Sequence, residues 1–381
     1  MKVALVAPGS ARCSSSFERR VQELAGGLAR QGAEVEVVTQ DTGVSSLRVS
    51  ESDGVVTRRF PATARGLGFA VSPGLWEHVR QGAETWDVVH LHAGRGPFTV
   101  ATRGVAFATR RLASGRLIFT PHAPIQRLLR WPYAPVVRAV LDRAAHIVPL
   151  SRAEADLIRD IFPKAAHRVQ PMPLAVDAGA IHAARPVDYP GPVVLAGGPL
   201  GRQTERLIAA MASLDQRFRL VIPGRGPAVR RLQRYADDLE VSERVDFVGH
   251  TTPAVHYRWL RTARVLVTLA QEEPSGSELL EALAGGTSAV ASDVAVNREA
   301  AAVADHAGVT LVAPECSPLE LADAIAAVAE TDVPSAARLR IPSGQVVAES
   351  MLALYRSLSG PGVAKGHASA NGNGHRPVAH G

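Results

Sequence analysis

Short apolar runs alternate repeatedly with helical patterns along the chain. The run Val3–Val6 is followed by a polar loop, by apolar residues at helical spacing over 17–30, and by a second run at Val35–Val38. Runs of this length are typical of buried strands. A strand–loop–helix–strand unit is the building block of a parallel sheet, so we expect an α/β fold.

The alternation continues and then restarts after a proline-rich segment near residue 180. The further strands are predicted at Val88–Leu91, Leu117–Phe119 and His146–Leu150, and after the prolines at Val193–Ala196, Leu220–Ile222, Val245–Val248 and Val265–Val267. Two doubly wound, Rossmann-like domains are the simplest interpretation, at 1–178 and 190–345. We expect a C-terminal helix at 346–360 to pack back on the first domain, and a disordered tail at 361–381, which is rich in Gly, Ala, Asn and His.

Composition excludes several other classes of protein. At 46% hydrophobic and 20% charged residues, the 381-residue chain can bury large cores and is not a disordered protein. Cys13 and Cys316 are too few for a disulfide framework or a metal cluster, which favours a cytoplasmic location. Neither a secretory leader nor an apolar stretch of membrane-spanning length is expected.

A nicotinamide-dependent oxidoreductase is also disfavoured. Such enzymes need Gly-x-Gly-x-x-Gly after the first strand, and residues 9–14 read Gly-Ser-Ala-Arg-Cys-Ser. The turn at Gly224–Pro227 lacks the third glycine as well.

The segment 270–286 contains two candidate ligand-binding residues, both glutamates. Glu273 lies in an acidic loop after a strand, and Glu281 lies about one turn into an apolar helix. A buried glutamate needs a partner for its charge, and the two hydroxyl groups of a ribose would supply one. The alternative is a capped helix with a solvated or salt-bridged glutamate, which the spacing alone favours.

This segment resembles the signature of the retaining glycosyltransferases of family 4, which have the GT-B fold. Glu273 and Glu281 match the two glutamates of that signature, and 282–286 matches its small-residue end. Weaker matches occur in the family's order along nearly the whole chain: Asp87–His92, Thr120–His122, Val148–Ser151, Val176–Asp177, Gly224–Pro227 and Val245–Gly249.

The resemblance implies a GT-B fold, with the two Rossmann-like domains facing across a cleft, and a role for each matching residue. Glu281 would bind the donor ribose, Glu273 the donor sugar near its reacting carbon, and His122 would lie beside the transferred sugar. Further donor contacts are expected at Ser15, Ser16, Gly198, Gly224, Gly249, Ser275, Gly276 and Ser277. The alternative for His122 is a structural histidine at a strand end.

The chain departs from the family pattern around the donor. Ser15-Ser16 stands where the family has two glycines, and the loop at 198–202 is shortened. Arg202 is the one cation that fits the diphosphate clamp under either alignment, with Arg206 as its companion. Helix N-termini would stabilise the leaving diphosphate together with Arg202. Neither a metal nor another cofactor is expected.

The positive charge is concentrated in the N-terminal domain, 1–178, where we expect the acceptor to bind, whereas the C-terminal domain, 190–345, is expected to bind the nucleotide sugar. Eight arginines and no acidic residue lie between Asp87 and Asp142. In this stretch Arg127, Arg130 and Trp131 suit docking to an anionic membrane surface or to a phosphorylated lipid acceptor. A solvated arginine surface is the alternative. Nucleic acid is disfavoured because no recognition motif is present.

The sequence therefore predicts a metal-independent, retaining, hexosyltransferase-type glycosyltransferase. Its donor would be a UDP-, GDP- or dTDP-sugar, and its acceptor a lipid-linked glycan, a polysaccharide or a metabolite. It would be cytoplasmic, or attached to the cytoplasmic face of a membrane. The alternative is a non-catalytic nucleotide-sugar-binding relative that partners an active enzyme.

Overall fold

The computed structural model describes residues 1–7, 16–65, 69–93, 115–129, 134–172, 175–271, 275–331, 333 and 341–358. Within these ranges it contains two open sheets with helices on both faces, as the sequence predicts; the strands are parallel except for one edge strand of the first sheet. The predicted tail at 361–381 lies outside the described residues.

The first sheet has seven strands in the order β3-β4-β2-β1-β7-β8-β9. All neighbours are parallel except β3, which runs antiparallel to β4. The strands are β1 Lys2–Val6, β2 Glu34–Asp41, β3 Arg48–Ser52, β4 Val55–Pro61, β7 Val88–Ala93, β8 Leu117–Pro121 and β9 His146–Ile147. A separate hairpin pairs β5 Thr63–Arg65 with β6 Phe69–Val71. The central strands are buried on both faces, which explains their unbroken apolar runs.

The helices of this half are α1 Ser16–Arg30, α2 Pro73–Gly82, α3 Ile125–Leu128, α4 Ala134–Arg143 and α5 Arg152–Ile161. Ser151 begins α5 by accepting a hydrogen bond from the Glu154 amide. A 3-10 helix at Pro163–Arg168 and the short α6 at Ala178–Ala183 lead to the second sheet.

The second sheet has six parallel strands in the order β12-β11-β10-β13-β14-β15. Counted from its own first strand this is the order 3-2-1-4-5-6 of a Rossmann fold. The strands are β10 Val193–Ala196, β11 Arg219–Pro223, β12 Val245–Gly249, β13 Ala263–Thr268, β14 Ser288–Ser292 and β15 Val309–Val312. The helices are α7 Arg202–Met211, α8 Val229–Asp238, α9 Pro253–Thr262, α10 Ser277–Ala284, α11 Ala295–Ala301 and α12 Pro318–Ala329. Short 3-10 helices lie at Ser242–Arg244 and Ala302–Ala304.

The last described helix, α13 (Gly344–Leu358), lies against the first sheet rather than the second. Its apolar residues share a buried cluster with Val21 and Leu28 of α1. A Cβ added to Gly27 would lie 2.7 Å from the Ala348 Cβ, so the two helices approach very closely. The Tyr355 hydroxyl is also 2.6 Å from His90 Nδ1 in the sheet. The chain thus returns to its N-terminal half after the second sheet is complete.

Candidate active site

Residues that follow the carboxyl ends of strands from both sheets line one cavity of about 520 Å³. Arg127 comes from α3, after β8, whereas Pro199 and Arg202 follow β10 and Gln271 follows β13. In open α/β sheets this edge is where ligands bind. The predicted site residues Arg127 and Arg202 therefore lie on a shared cavity between the two halves of the chain.

Glu281 lies in α10 and is only 8% exposed. Its Oε1 accepts a hydrogen bond from Arg19 Nη2 at 3.0 Å, and its Oε2 lies 3.2 Å from His256 Nε2. Arg19 belongs to α1 of the first half and His256 to α9 of the second. The charge of the buried carboxylate is thus compensated from both sides of the cleft.

Burial alone would raise the pKa of Glu281. The hydrogen bond and charge of His256, followed by the charges of Arg19 and Arg20, outweigh burial and hold the pKa below its usual value. The carboxylate is therefore ionised at neutral pH.

The short loop after β10 is fixed by Glu278, a residue that the sequence analysis did not single out. The Gly198 amide donates to Glu278 Oε1 at 2.9 Å, and the Thr268 hydroxyl donates to Oε2 at 2.8 Å. Gly198 has a φ of +80°, which favours glycine. An acidic residue in the first turn of α10 was the one available signal for this role.

The start of α10 is tightly packed. Ser275 and Ser277 are buried, and Gly276 between them caps the helix at φ +60°. A Cβ at Gly276 would lie 2.9 Å from the Ala300 Cβ, which places this backbone directly against α11. The loop geometry at the predicted donor-binding residues thus depends on glycine.

Arg202 and Arg206, which are predicted to clamp the diphosphate, differ in their exposure and in their contacts. Arg202 is exposed at the first turn of α7 and faces the cavity. Arg206 lies one turn later, where its guanidinium donates to the Pro314 carbonyl at 2.6 Å and to Glu315 Oε2 at 2.7 Å. Arg206 thus binds the segment after β15, and Arg202 is the residue with an exposed charge.

His122 follows β8 and is part of a histidine cluster. Its Nε2 lies 3.0 Å from His92 Nδ1, and its ring packs edge-on against Phe17 with centroids 4.8 Å apart. Burial, followed by the charges of His92 and Arg20, lowers the pKa of His122 well below its usual value. Burial also lowers the pKa of His92 to about 3. Both rings are therefore neutral at pH 7.

Gly224 and Gly249 join the ends of β11 and β12. The Gly224 amide donates to the Gly249 carbonyl at 2.7 Å, and both residues have positive φ, +127° and +72°. The remaining predicted site residues Ser15, Glu273, Arg130 and Trp131 lie outside the described residues, and Ser16 is the first residue of α1.

A second contact between the halves involves Glu299 of α11. Its Oε1 accepts from the Arg152 amide at 2.9 Å and its Oε2 from the Ala153 amide at 3.0 Å. These are the first two residues of α5, where backbone N–H groups point outward and favour an anion. Sequence reasoning missed both Glu299 and Arg19, because each occupies an ordinary charged position on a helix surface.

Neither a metal-binding cluster nor a membrane-spanning helix is found in the part of the chain that the structure describes. His, Cys, Asp and Glu side chains do not gather there in groups of three or more that could hold a metal ion. None of the helices in these ranges combines the length and the hydropathy needed to cross a bilayer.

Two family models match the chain in sequence. Residues 17–175 match the model described as "Glycosyl transferase 4-like domain", and residues 199–341 match "Glycosyl transferases group 1". A D-inositol 3-phosphate glycosyltransferase from Xylanimonas cellulosilytica is 28% identical over 72% of this chain and 74% of its own length.

Solved structures agree on the fold. Sucrose-phosphate synthase from Thermosynechococcus elongatus superposes with a TM-score of 0.74 at 22% identity, over 94% of this chain and 98% of that one. HepE from Anabaena, solved with UDP and glucose, gives 0.70 at 18% identity, over 94% and 100%. Together with the two family models and the paired sheets, these matches confirm the resemblance: the chain belongs to the GT-B glycosyltransferases of the family 4 type.

Proposed function

We propose that the protein is a metal-independent, retaining glycosyltransferase that moves a hexose from a UDP-, GDP- or dTDP-sugar to an acceptor hydroxyl. The observation that carries the proposal is Glu281, a buried and ionised carboxylate at the cleft. Hydroxyl groups of a ribose can donate to such a carboxylate, which His256, Arg19 and Arg20 keep ionised. HepE, a structural relative, was solved with UDP and glucose, which supports a nucleotide-sugar donor.

The transfer reaction requires from the protein mainly electrostatic stabilisation of the leaving diphosphate. The bond between the anomeric carbon and the β-phosphate oxygen breaks, and its electron pair leaves with the diphosphate. The acceptor oxygen bonds to the anomeric carbon on the same face, and its proton passes to the leaving phosphate oxygen. Arg202 and the N–H groups at the starts of α7 and α10 would stabilise the negative charge that develops.

The neutral state of His122 limits what this residue can do. A neutral imidazole can exchange hydrogen bonds with sugar hydroxyl groups but adds no charge near the anomeric carbon. We therefore assign His122 to orienting the transferred sugar. Glu273, outside the described residues, is proposed to contact the sugar near its reacting carbon.

The acceptor is proposed to bind on the side of the first sheet, where the arginines are concentrated. Arg127 lines the cavity that also contains Arg202, which supports an anionic group on the acceptor or the donor there. A lipid-linked glycan, a polysaccharide or a metabolite remains the proposed acceptor class. Attachment to the cytoplasmic face of an anionic membrane is proposed through Arg127, Arg130 and Trp131.

A second candidate function is a non-catalytic nucleotide-sugar-binding relative that partners an active enzyme. One observation favours it. Arg206, the expected companion of Arg202, is bound to the Pro314 carbonyl and to Glu315. This arrangement leaves the diphosphate clamp with a single exposed arginine among the two predicted.

A panel of UDP-, GDP- and dTDP-sugars separates the two candidates. Binding is measured by calorimetry, and turnover by release of the nucleoside diphosphate with and without acceptors. The enzyme hypothesis predicts turnover of at least one donor, and a fall of about 100-fold or more in Glu273→Ala. Donor binding without turnover, unchanged in Glu273→Ala, would establish the non-catalytic alternative.

A further inference from the structure

The Glu281 carboxylate is held by one residue from each half of the molecule. Arg19 reaches it from α1, where its guanidinium also lies 5.6 Å from the centre of the Tyr257 ring and 3.7 Å from Glu23. His256 reaches it from α9, the helix that carries Tyr257. Arg19 is therefore fixed by contacts on both sides of the cleft.

We propose that Arg19 and His256 are positioning residues that hold Glu281 for the two hydroxyl groups of the donor ribose, so that the ribose site is complete only when the two halves are closed. This inference rests on the proposed function, in which Glu281 binds the ribose.

The hydrogen-bonding capacity of the carboxylate supports this proposal. A carboxylate has two oxygens and about four accepting positions. Arg19 uses one position on Oε1, and His256 uses one on Oε2. After the contacts made by the described residues, one accepting position is left on each oxygen, which is the arrangement that two neighbouring hydroxyl donors require. Arg19 and His256 thus orient the carboxylate without saturating it.

The electrostatic environment gives the two partners a second role. An unpaired carboxylate that is 8% exposed would carry a large desolvation cost and would tend to take up a proton. The charged or titratable groups near Glu281 come from three elements: Arg19, Arg20 and Glu23 on α1, His256 and Tyr257 on α9, and Asp177 before α6. Glu23 and Asp177 are acidic, so the ionised state of Glu281 depends on Arg19, Arg20 and His256.

Because α1 belongs to the first half, separation of the halves would remove Arg19 from Glu281. The carboxylate would lose the hydrogen bond from Arg19 and part of its compensating charge. Binding of the ribose and closure of the cleft are therefore coupled through this ion pair.

The experiment measures calorimetric binding of UDP, GDP and dTDP between pH 5 and 8. For the nucleotide that binds the wild-type chain, Arg19→Met is expected to weaken binding about 10- to 100-fold at pH 7.5. The loss of affinity on acidification should also begin at a higher pH, since burial then raises the Glu281 pKa with less opposition. Arg19→Lys should restore part of the affinity.

Arg30→Met is the matched control, because Arg30 is an exposed residue in the last turn of the same helix. It should bind like the wild-type chain, and thermal unfolding shows whether each variant is folded. Unchanged or tighter binding in folded Arg19→Met and Arg19→Lys, with the wild-type pH profile, overturns the inference.

Glu281→Ala distinguishes the inference from the function on which it rests. If Glu281→Ala weakens binding and Arg19→Met does not, the positioning role is wrong and the ribose role is retained. If Glu281→Ala binds like the wild-type chain, or if none of the three nucleotides binds the wild-type chain, both proposals fall.

Discussion

Arg19 Nη2 lies 3.0 Å from Glu281 Oε1, an ion pair between residues 262 positions apart in the chain. It joins the first helix of the N-terminal half to the helix that follows the signature loop. Both side chains are largely buried, so solvent screens the pair only weakly. The two halves of the molecule therefore meet at Glu281, the residue that the family resemblance predicts to bind the donor ribose.

Glu299 provides a second prediction about closure of the cleft. Glu299→Ala removes the carboxylate that accepts from the Arg152 and Ala153 amides, and leaves the start of α5 without its anion. We expect the closed arrangement to lose about 1–2 kcal/mol. Fluorescence energy transfer between one dye on each half should report a longer mean distance, and kcat/KM should fall about 5- to 30-fold.

Glu330→Ala is the control for Glu299, because Glu330 pairs with Arg217 within the second half and is exposed. It should leave the distance and kcat/KM unchanged. Identical distance distributions for Glu299→Ala and the wild-type chain would show that this contact does not hold the halves together.

Gly276 is predicted to be indispensable for the loop before α10. Gly276→Ala forces a side chain into the left-handed region, at about 1–2 kcal/mol, and places its Cβ against Ala300. We expect urea denaturation to show a loss of about 2–4 kcal/mol in the free energy of unfolding. At Gly344 an added Cβ meets nothing within 4 Å, so Gly344→Ala should be nearly neutral. Equal losses at the two positions would contradict the packing described here.

We expect the histidines His92 and His122 to make the folded chain less stable in acid. Burial lowers the pKa of His92 to about 3, so between about pH 6.5 and 3 the unfolded chain binds a proton that the native chain does not. The contribution of neutral His92 to the free energy of unfolding is complete above pH 6.5 and declines by about 1.4 kcal/mol per pH unit below it. Urea titrations at several pH values should show a smaller slope in His92→Gln. The exposed His182→Gln serves as control, and an unchanged slope in His92→Gln would refute the prediction.

Much of the fold could be predicted because parallel strands buried on both faces leave unbroken apolar runs. Val3–Val6 and Val193–Ala196 are such strands, and both were identified from the sequence. The edge strand β3 was missed because all five of its residues are exposed and its sequence, Arg-Val-Ser-Glu-Ser, has no apolar run. The predicted strand at 146–150 is shorter than expected, because only His146–Ile147 pairs with β8.

The candidate site could be predicted only in part, for a different physical reason. Glu281 belongs to a local signature, so one segment of sequence identifies it. Its partners Arg19 and His256 are brought to it by the packing of helices that are distant in sequence. A local sequence pattern does not indicate which of these helices pack together. The same applies to Arg206, whose charge suggested the diphosphate but whose guanidinium binds Glu315 instead.

Proton NMR of the anomeric signals during turnover of α-linked donors, such as UDP-glucose and GDP-mannose, shows whether the protein transfers the sugar with retention of configuration. We expect the first sugar released or transferred to have the α configuration of the donor, and this signal to be lost in Glu273→Ala. A first product of β configuration would contradict the retaining mechanism. Failure of every donor in the panel to react would contradict the assignment of this chain as an active glycosyltransferase.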